Sequence, residues 1–168
     1  NQALSFNTSA VTNMSGMFDS ATSFNQALTF DTSAVTNMVA MFGNCTAFNQ
    51  PLSFNTSSVA TMNYMFYGAT SFNQPLSFNT AAVIDMEAMF YGATAFNQDI
   101  GSWNVSSLVT AVDFMATKTP ATFSTANLDA IYNGWSTQSV QPSLDISFGT
   151  AKYTGAGVAG RLVLTGTK

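Results

Sequence analysis

The chain is 168 residues long, 46% hydrophobic and only 7% charged, with a formal charge of −4 and no histidine. That length makes one domain able to bury roughly 70% of its unfolded surface, and the apolar content excludes disorder. The 4 basic residues, Lys118, Lys152, Arg161 and Lys168, form no patch, and no apolar run approaches the roughly 18 residues of a membrane span. A nucleic-acid partner and a membrane span are therefore not expected, and solubility must come from Asn, Gln, Ser and Thr.

One 24-residue sentence recurs along the chain: F-N-Q-x-L-S-F-N-T-S-x-V-x-x-M-x-x-M-F-x-x-A-T-x. Phe24, Phe48, Phe72 and Phe96 open successive copies. A fixed period of this size is the mark of a solenoid in which each coil buries its face against its neighbours. The reading is a repeat solenoid over residues 1–118, in about five coils of 24–25 residues starting near Asn1, Phe24, Phe48, Phe72 and Phe96. Residues 119–168 form a C-terminal capping segment of helix, strand and helix. Asn1 and Gln2 are the second and third letters of the motif, so the chain is expected to be a processed or trimmed piece of a longer protein.

Within a copy, Pro75-Leu76-Ser77-Phe78-Asn79 alternates apolar and polar, which predicts a short strand. Val83, Met86, Met89 and Phe90 follow at offsets of one helical face, which predicts a short helix. Thr8, Thr32, Thr56 and Thr80 are placed to cap these helices, and Gly43, Gly68 and Gly92 to end them. The paired methionines, Met14 and Met17 through Met86 and Met89, are read as core filling rather than a soft-metal groove. The Asn25, Asn49, Asn73 and Asn97 column is read as side chains bonding backbone at a bend. Cys45 stands where sister copies carry Ala21, Ala69 and Ala93, and is read as a small buried residue. The fifth copy drifts: an extra residue precedes Trp103, and Ala111, Phe114 and Met115 replace Met, Met and Phe. Beyond Pro120, Ser124 to Asn127 start a helix carrying Leu128, Ile131, Tyr132 and Trp135, with Gly134 as its stop. Residues 144–148 alternate like a strand, and a last helix is expected from about Thr154.

Chemistry is sparse. Without histidine the commonest general base and zinc ligand are missing, so no catalytic residue, cofactor or metal is expected. Asp85 and Glu87 lie on different faces and make a poor acid/base pair, and the glycines of residues 155–160 follow no clear buried strand. Five N-x-S/T sequons, at Asn7, Asn13, Asn44, Asn55 and Asn104, are candidate N-glycosylation sites, and Ser20 is a candidate for O-glycosylation.

The repeat resembles that of the BspA-like leucine-rich-repeat surface proteins, in the branch whose copies read FNQ…W-x-V-S-x-V-x-x-M…MF. Residues 96–107, FNQDIGSWNVSS, are the nearest local match. The tail resembles the segment that often follows such arrays, at Asn127-Leu128-Asp129, Gly134-Trp135-Ser136, Ile146-Ser147-Phe148 and Lys152-Tyr153. The resemblance implies an α/β, leucine-rich-repeat-like right-handed coil of short parallel strands and helices. It also implies an extracellular or cell-surface protein, with adhesion or surface assembly as its role.

Three functions follow as expectations. The first is a non-enzymatic structural protein of a filament or stalk, joined head-to-tail with itself or with further repeats of a longer chain, possessing an end face at Leu4, Phe6, Val11, Met14, Met17 and Phe18. The second is an adhesin that binds glycans or host proteins through exposed aromatics at Tyr64, Tyr67 and Tyr91. The third is ice or crystal-surface binding through the Thr columns at 8/32/56/80 and 22/46/70/94.

Overall fold

A computed structural model describes residues 2, 4–141 and 144–165. Asn1, Thr167 and Lys168 lie outside the described residues. Successive copies lie in parallel, side by side. Single parallel bridges join Asn13 to Asn37, Asn37 to Thr61, Thr61 to Asp85 and Asp85 to Thr110, and a last one joins Ala111 to Ile146.

The short helices expected in each copy are not formed. Residues Met38 to Cys45 account for every backbone N–H in another way. The N–H groups of Met38, Ala40, Phe42 and Asn44 donate to the carbonyls of Thr61, Asn63, Met65 and Tyr67 in the next copy. Those of Met41, Gly43 and Cys45 close turns on Met38, Ala40 and Phe42 of the same copy. Val39 N–H goes to Asn37 Oδ1 at 2.9 Å. A helix would send every N–H back to its own fourth-preceding carbonyl and leave none for the neighbour. Here alternate donors serve the neighbour, so the apolar spacing that imitates a helical face is that of consecutive β-turns.

Two of these turns require left-handed backbone at their third residue, as type II turns do. One column of such residues is Gly16, Ala40, Tyr64, Ala88 and Asp113, with φ from 47° to 62°; the other includes Ser20, Asn44, Gly68 and Gly92. The glycine of the second copy is thus displaced from its expected role: Gly43 lies one residue early, and Asn44, φ 53°, takes the left-handed position.

The expected strands also differ. Leu76 and Phe78 are buried while Pro75, Ser77 and Asn79 are exposed, so the alternation is real. The ladder nevertheless forms further along, through Asp85, rather than at 75–79. Pro51 and Pro75 carry no N–H and could not donate to a ladder. Thr32, Thr56 and Thr80 do not cap helices. Their buried hydroxyls donate to the carbonyls of Asn55, Asn79 and Asn104 in the following copy at 3.0, 3.0 and 2.9 Å.

Side chains follow the same stacking. Phe18, Phe42, Phe66 and Phe90 form one column, with centroids 5.4, 5.6 and 5.5 Å apart and planes within 7°. Phe24, Phe48, Phe72 and Phe96 form a second at 5.9–6.0 Å. The columns interleave at 4.0–4.4 Å. Such offset stacks add to the burial energy of each ring. Leucine, valine and methionine columns fill the rest of the core, and all described Met side chains from Met38 to Met115 are fully buried.

The tail comprises α1 (Thr125–Ser136), a short 3-10 turn at Gly155–Gly157 and α2 (Val158–Thr165). Ser124 caps α1 by accepting from Asn127 N–H. Residues 144–148 contribute one bridge, from Ile146, rather than a strand. Gly134 is not the stop of α1 but lies inside it, where a Cβ would fall 2.0 Å from the carbonyl oxygen of Gly101. The close approach of helix to array therefore demands two glycines. Gly157 and Gly160 are likewise needed because a Cβ would strike Asp129 Oδ1 and the Tyr132 carbonyl at 2.3 Å. Packing thus accounts for Gly157 and Gly160, whereas Gly155 faces open space.

The left-handed columns make opposite predictions for two substitutions. Ala40→Gly removes strain at φ 51° and is expected to stabilise by about 0.5–1 kcal/mol in denaturant unfolding. Gly68→Ala imposes that strain and places a Cβ 2.6 Å from Asn44 Oδ1, so it is expected to destabilise by at least about 1 kcal/mol.

Candidate assembly surface

The two ends of the stack differ in chemistry. At the first copy the N–H groups of Met14, Gly16, Phe18 and Ser20 are all used, donating to Asn37, Val39, Met41 and Gly43. The carbonyls of Asn13, Ser15, Met17 and Asp19 are the register equivalents of those four acceptors, and they accept from no described residue. The first copy thus turns outward a row of acceptors.

Of the end-face residues read from the sequence, Phe6 is 60% exposed and Met17 39%, whereas their sisters Phe30 and Met41 are 8% and 0%. Leu4 and Val11 are half-buried against the core. Met14 and Phe18 are buried and stand behind this surface, with Phe18 held 4.4 Å from Phe24. An open depression of about 420 Å³, lined by Ser20, Ala21, Thr22, Ser23 and Phe24, adjoins it.

The opposite end is closed by groups that imitate a further copy. Inside the array each Asn side chain receives its successor's N–H: Asn49 Oδ1 accepts from Asn73 N–H at 2.9 Å and from Gln74 Nε2 at 3.1 Å. At Asn97 the donors are Ser124 N–H at 2.9 Å and Asn127 Nδ2 at 3.0 Å. Met115 N–H donates to the Ser147 carbonyl, as Phe90 N–H does to Phe114. Trp135 Nε1 donates to the Ile100 carbonyl at 3.0 Å, repeating the bond from Trp103 Nε1 to Leu76. Phe114 meets Phe90 edge-on at 86°, which ends the parallel ring stack.

One column carries two titratable side chains. Cys45 Sγ donates to the Phe18 carbonyl at 3.0 Å, and burial pushes its thiol up to about 11. Lys118, in register with Ala93, is fully buried. Its ammonium donates to the carbonyls of Ala93, Thr94 and Phe96, and lies 6.0 Å from the rings of Phe96 and Phe123. No carboxylate bridges it among the described residues, and burial pulls it down to about 8. In the sequence Lys118 is one of four cations, and its register with the Ala/Cys column is the signal for its burial.

The aromatic candidates do come together. Tyr67 and Tyr91 stack at 5.3 Å and 6°, Tyr64 meets Tyr67 edge-on at 5.9 Å, and all are half-buried. The Tyr64 hydroxyl donates to Glu87 Oε1, and that bond raises its ionisation above the ordinary phenol value. Asp85 Oδ1 accepts Glu87 N–H at 2.9 Å, so the two carboxylates hold a turn and a tyrosine. Among the described residues no group of three or more His, Cys, Asp or Glu could hold a metal ion.

The sequons separate by geometry. Asn7, Asn55 and Asn104 are exposed in one column, and each accepts on Oδ1 from the hydroxyl of the Ser two residues on, at 2.8, 2.8 and 2.7 Å. Asn13 is exposed but accepts from Ser15 N–H instead, and Asn44 and Ser20 are exposed left-handed turn residues. The Thr columns do not form a free hydroxyl lattice. Thr8, Thr32, Thr56 and Thr80 are buried, and the hydroxyls of Thr46, Thr70 and Thr94 donate to the carbonyls of Thr22, Thr46 and Thr70. No helix is long and apolar enough to cross a membrane.

The class is a tandem-repeat protein whose copies are bonded to one another in fixed register. The chain belongs to the family described as Mycoplasma protein of unknown function, DUF285, whose model matches residues 1–79, 28–130 and 53–154. No curated protein and no solved structure matches it.

Native Cys45 is expected to resist a maleimide at pH 7–8 and to react fully only on unfolding, as read by intact mass. Lys118 binds its proton less tightly folded, near 8, than unfolded, near 10.5, so unfolding takes up protons between those values. Stability is therefore expected to rise with pH across that window, and Lys118→Met to remove that contribution in matched denaturant titrations.

Proposed function

We propose that this chain is a non-enzymatic extracellular structural protein: a segment of a surface stalk or filament, built as a right-handed, leucine-rich-repeat-like solenoid of the BspA-like kind. Its contacts run in series through further coils rather than through a ligand pocket. The observation that carries this reading is the continuous backbone register from copy to copy, closed by imitation at its C-terminal end.

Other features support it. Cohesion comes from backbone bonds and stacked apolar columns, which suit a spacer of repeating units. Asp85, Glu87 and Tyr64, which come together, are occupied in holding a turn and a tyrosine. Glycans fit the exposed column of Asn7, Asn55 and Asn104, where sugar would supplement a surface poor in charge. The adhesin alternative draws on Tyr64, Tyr67 and Tyr91. Their faces and one hydroxyl are already engaged, which favours the structural role.

Electron microscopy of native material, with intact mass on the same sample, tests the proposal. Rods or filaments with an axial repeat fitting whole coils are the expected result, with excess mass locating glycans. Compact, monodisperse particles across a wide concentration range would overturn it and direct attention to a glycan screen.

A further inference from the structure

We infer that Tyr67 and Tyr91 are a site of oxidative modification, where a haem peroxidase with hydrogen peroxide joins the two rings into a dityrosine bridge between the third and fourth copies. Tyr64 and Glu87 are the point at which the electron and proton leave. The bridge forms within one molecule, so it does not rest on the stalk reading.

The 5 tyrosines of the chain lie in two clusters. In the first, the rings of Tyr67 and Tyr91 are 5.3 Å apart and 6° from parallel, an offset stack across the boundary of two copies. Both are half-buried, unlike the sealed phenylalanine columns of the core. The backbone fixes them, because Gly68 N–H donates to the Tyr91 carbonyl at 2.7 Å. Tyr64 meets Tyr67 edge-on at 5.9 Å. Its N–H donates to the Glu87 carbonyl at 2.8 Å and its hydroxyl to Glu87 Oε1. One pair of copies therefore holds a phenol against a carboxylate and, beside it, two phenol rings in parallel. The second cluster lacks this arrangement. Tyr132 is buried and meets Tyr153 at 88°, and Arg161 lies over the Tyr153 ring.

Removing an electron from a phenol makes its hydroxyl strongly acidic, so a carboxylate already bonded to it takes the proton in the same step. Glu87 is that acceptor for Tyr64. The Tyr64 radical recovers an electron from Tyr67 and its proton from Glu87, while Tyr67 releases its own proton to water. The radical passes on to Tyr91 by the same exchange, and a second oxidation at Tyr64 supplies Tyr67. The two radicals join through ring carbons next to the hydroxyls, and the hydrogens displaced there move to the oxygens. In total the two phenols lose two electrons and two protons, which reduce one hydrogen peroxide to two waters.

The test treats the 168-residue chain with a peroxidase and limiting hydrogen peroxide, then cleaves after methionine with cyanogen bromide. Cleavage at Met62, Met65, Met86 and Met89 puts Tyr64, Tyr67 and Tyr91 on fragments 63–65, 66–86 and 90–115. These methionines are fully buried, which shields them from the peroxide. Dityrosine fluorescence is expected, with fragments 66–86 and 90–115 joined at the loss of two hydrogens and a yield independent of protein concentration. Tyr67→Phe and Tyr91→Phe are each expected to abolish the bridge while keeping the stack and the fold. Glu87→Gln is expected to slow bridging by about tenfold or more at neutral pH, and by less as pH rises and solvent takes the proton instead. Unlinked rings, a bridge on fragment 63–65 or within 116–168, or a yield that grows with concentration would overturn the inference. An unchanged rate in the Gln variant would overturn the role of Glu87. Because the bridge is read in single molecules, its failure and a failure to form stalks are separate results.

Discussion

Everything in this molecule depends on how alternate backbone N–H groups are shared between a copy and its neighbour. From Met38 to Cys45, one set closes turns within the copy and the other reaches the copy beyond. Neither set alone makes a stable structure. A succession of turns has too few bonds to resist its conformational entropy, and the ladder has no straight strand to run along. Together, and with Asn37 Oδ1 taking the Val39 N–H, they leave no donor of that segment unpaired, which is what a buried backbone requires. The price is the left-handed backbone at two turn positions in each of the first four copies, borne by Ala40, Tyr64 and Ala88 as well as by glycines.

The same sharing gives the stack a direction. Across the turn segment N–H groups point toward later copies and carbonyls toward earlier ones, while the N–H groups of Thr36, Ala60 and Ile84 return to the copy before. The tail answers the donor end with substitutes: Ser124 and Asn127 for the Asn and Gln of a sixth copy, Ser147 for a ladder carbonyl, Trp135 for Trp103. Each substitute comes from a segment with no trace of the repeat. Local chemistry at the interface, and not sequence likeness, is what closes the array.

Departures from the motif gather where array meets tail. Gly101, in the copy with the inserted residue, lies under Gly134 and lets α1 approach. Phe114 and Met115 exchange the order of ring and thioether, and the parallel ring stack turns edge-on there. Lys118 replaces the small residue of its column and spends its charge on three carbonyls. Within the array such a side chain would have to fit between two identical copies; at the boundary the neighbour differs and leaves room.

Read alone, the sequence determined the period, the columns, the burial of Cys45 and the alternation at Leu76 and Phe78, because a repeated environment must be filled by a repeated residue type. Ser124 was also legible as a helix cap, since capping is decided within a few residues. Helix against turn was not legible, because Val83, Met86, Met89 and Phe90 present the same spacing to either. That choice rests on N–H groups that every residue carries and no side chain reports. Tertiary structure alone decided the donor and acceptor ends, the occupancy of the tyrosines and Glu87, and the carbonyls that receive Lys118. Each depends on which backbone atoms the neighbouring copy brings within hydrogen-bonding distance.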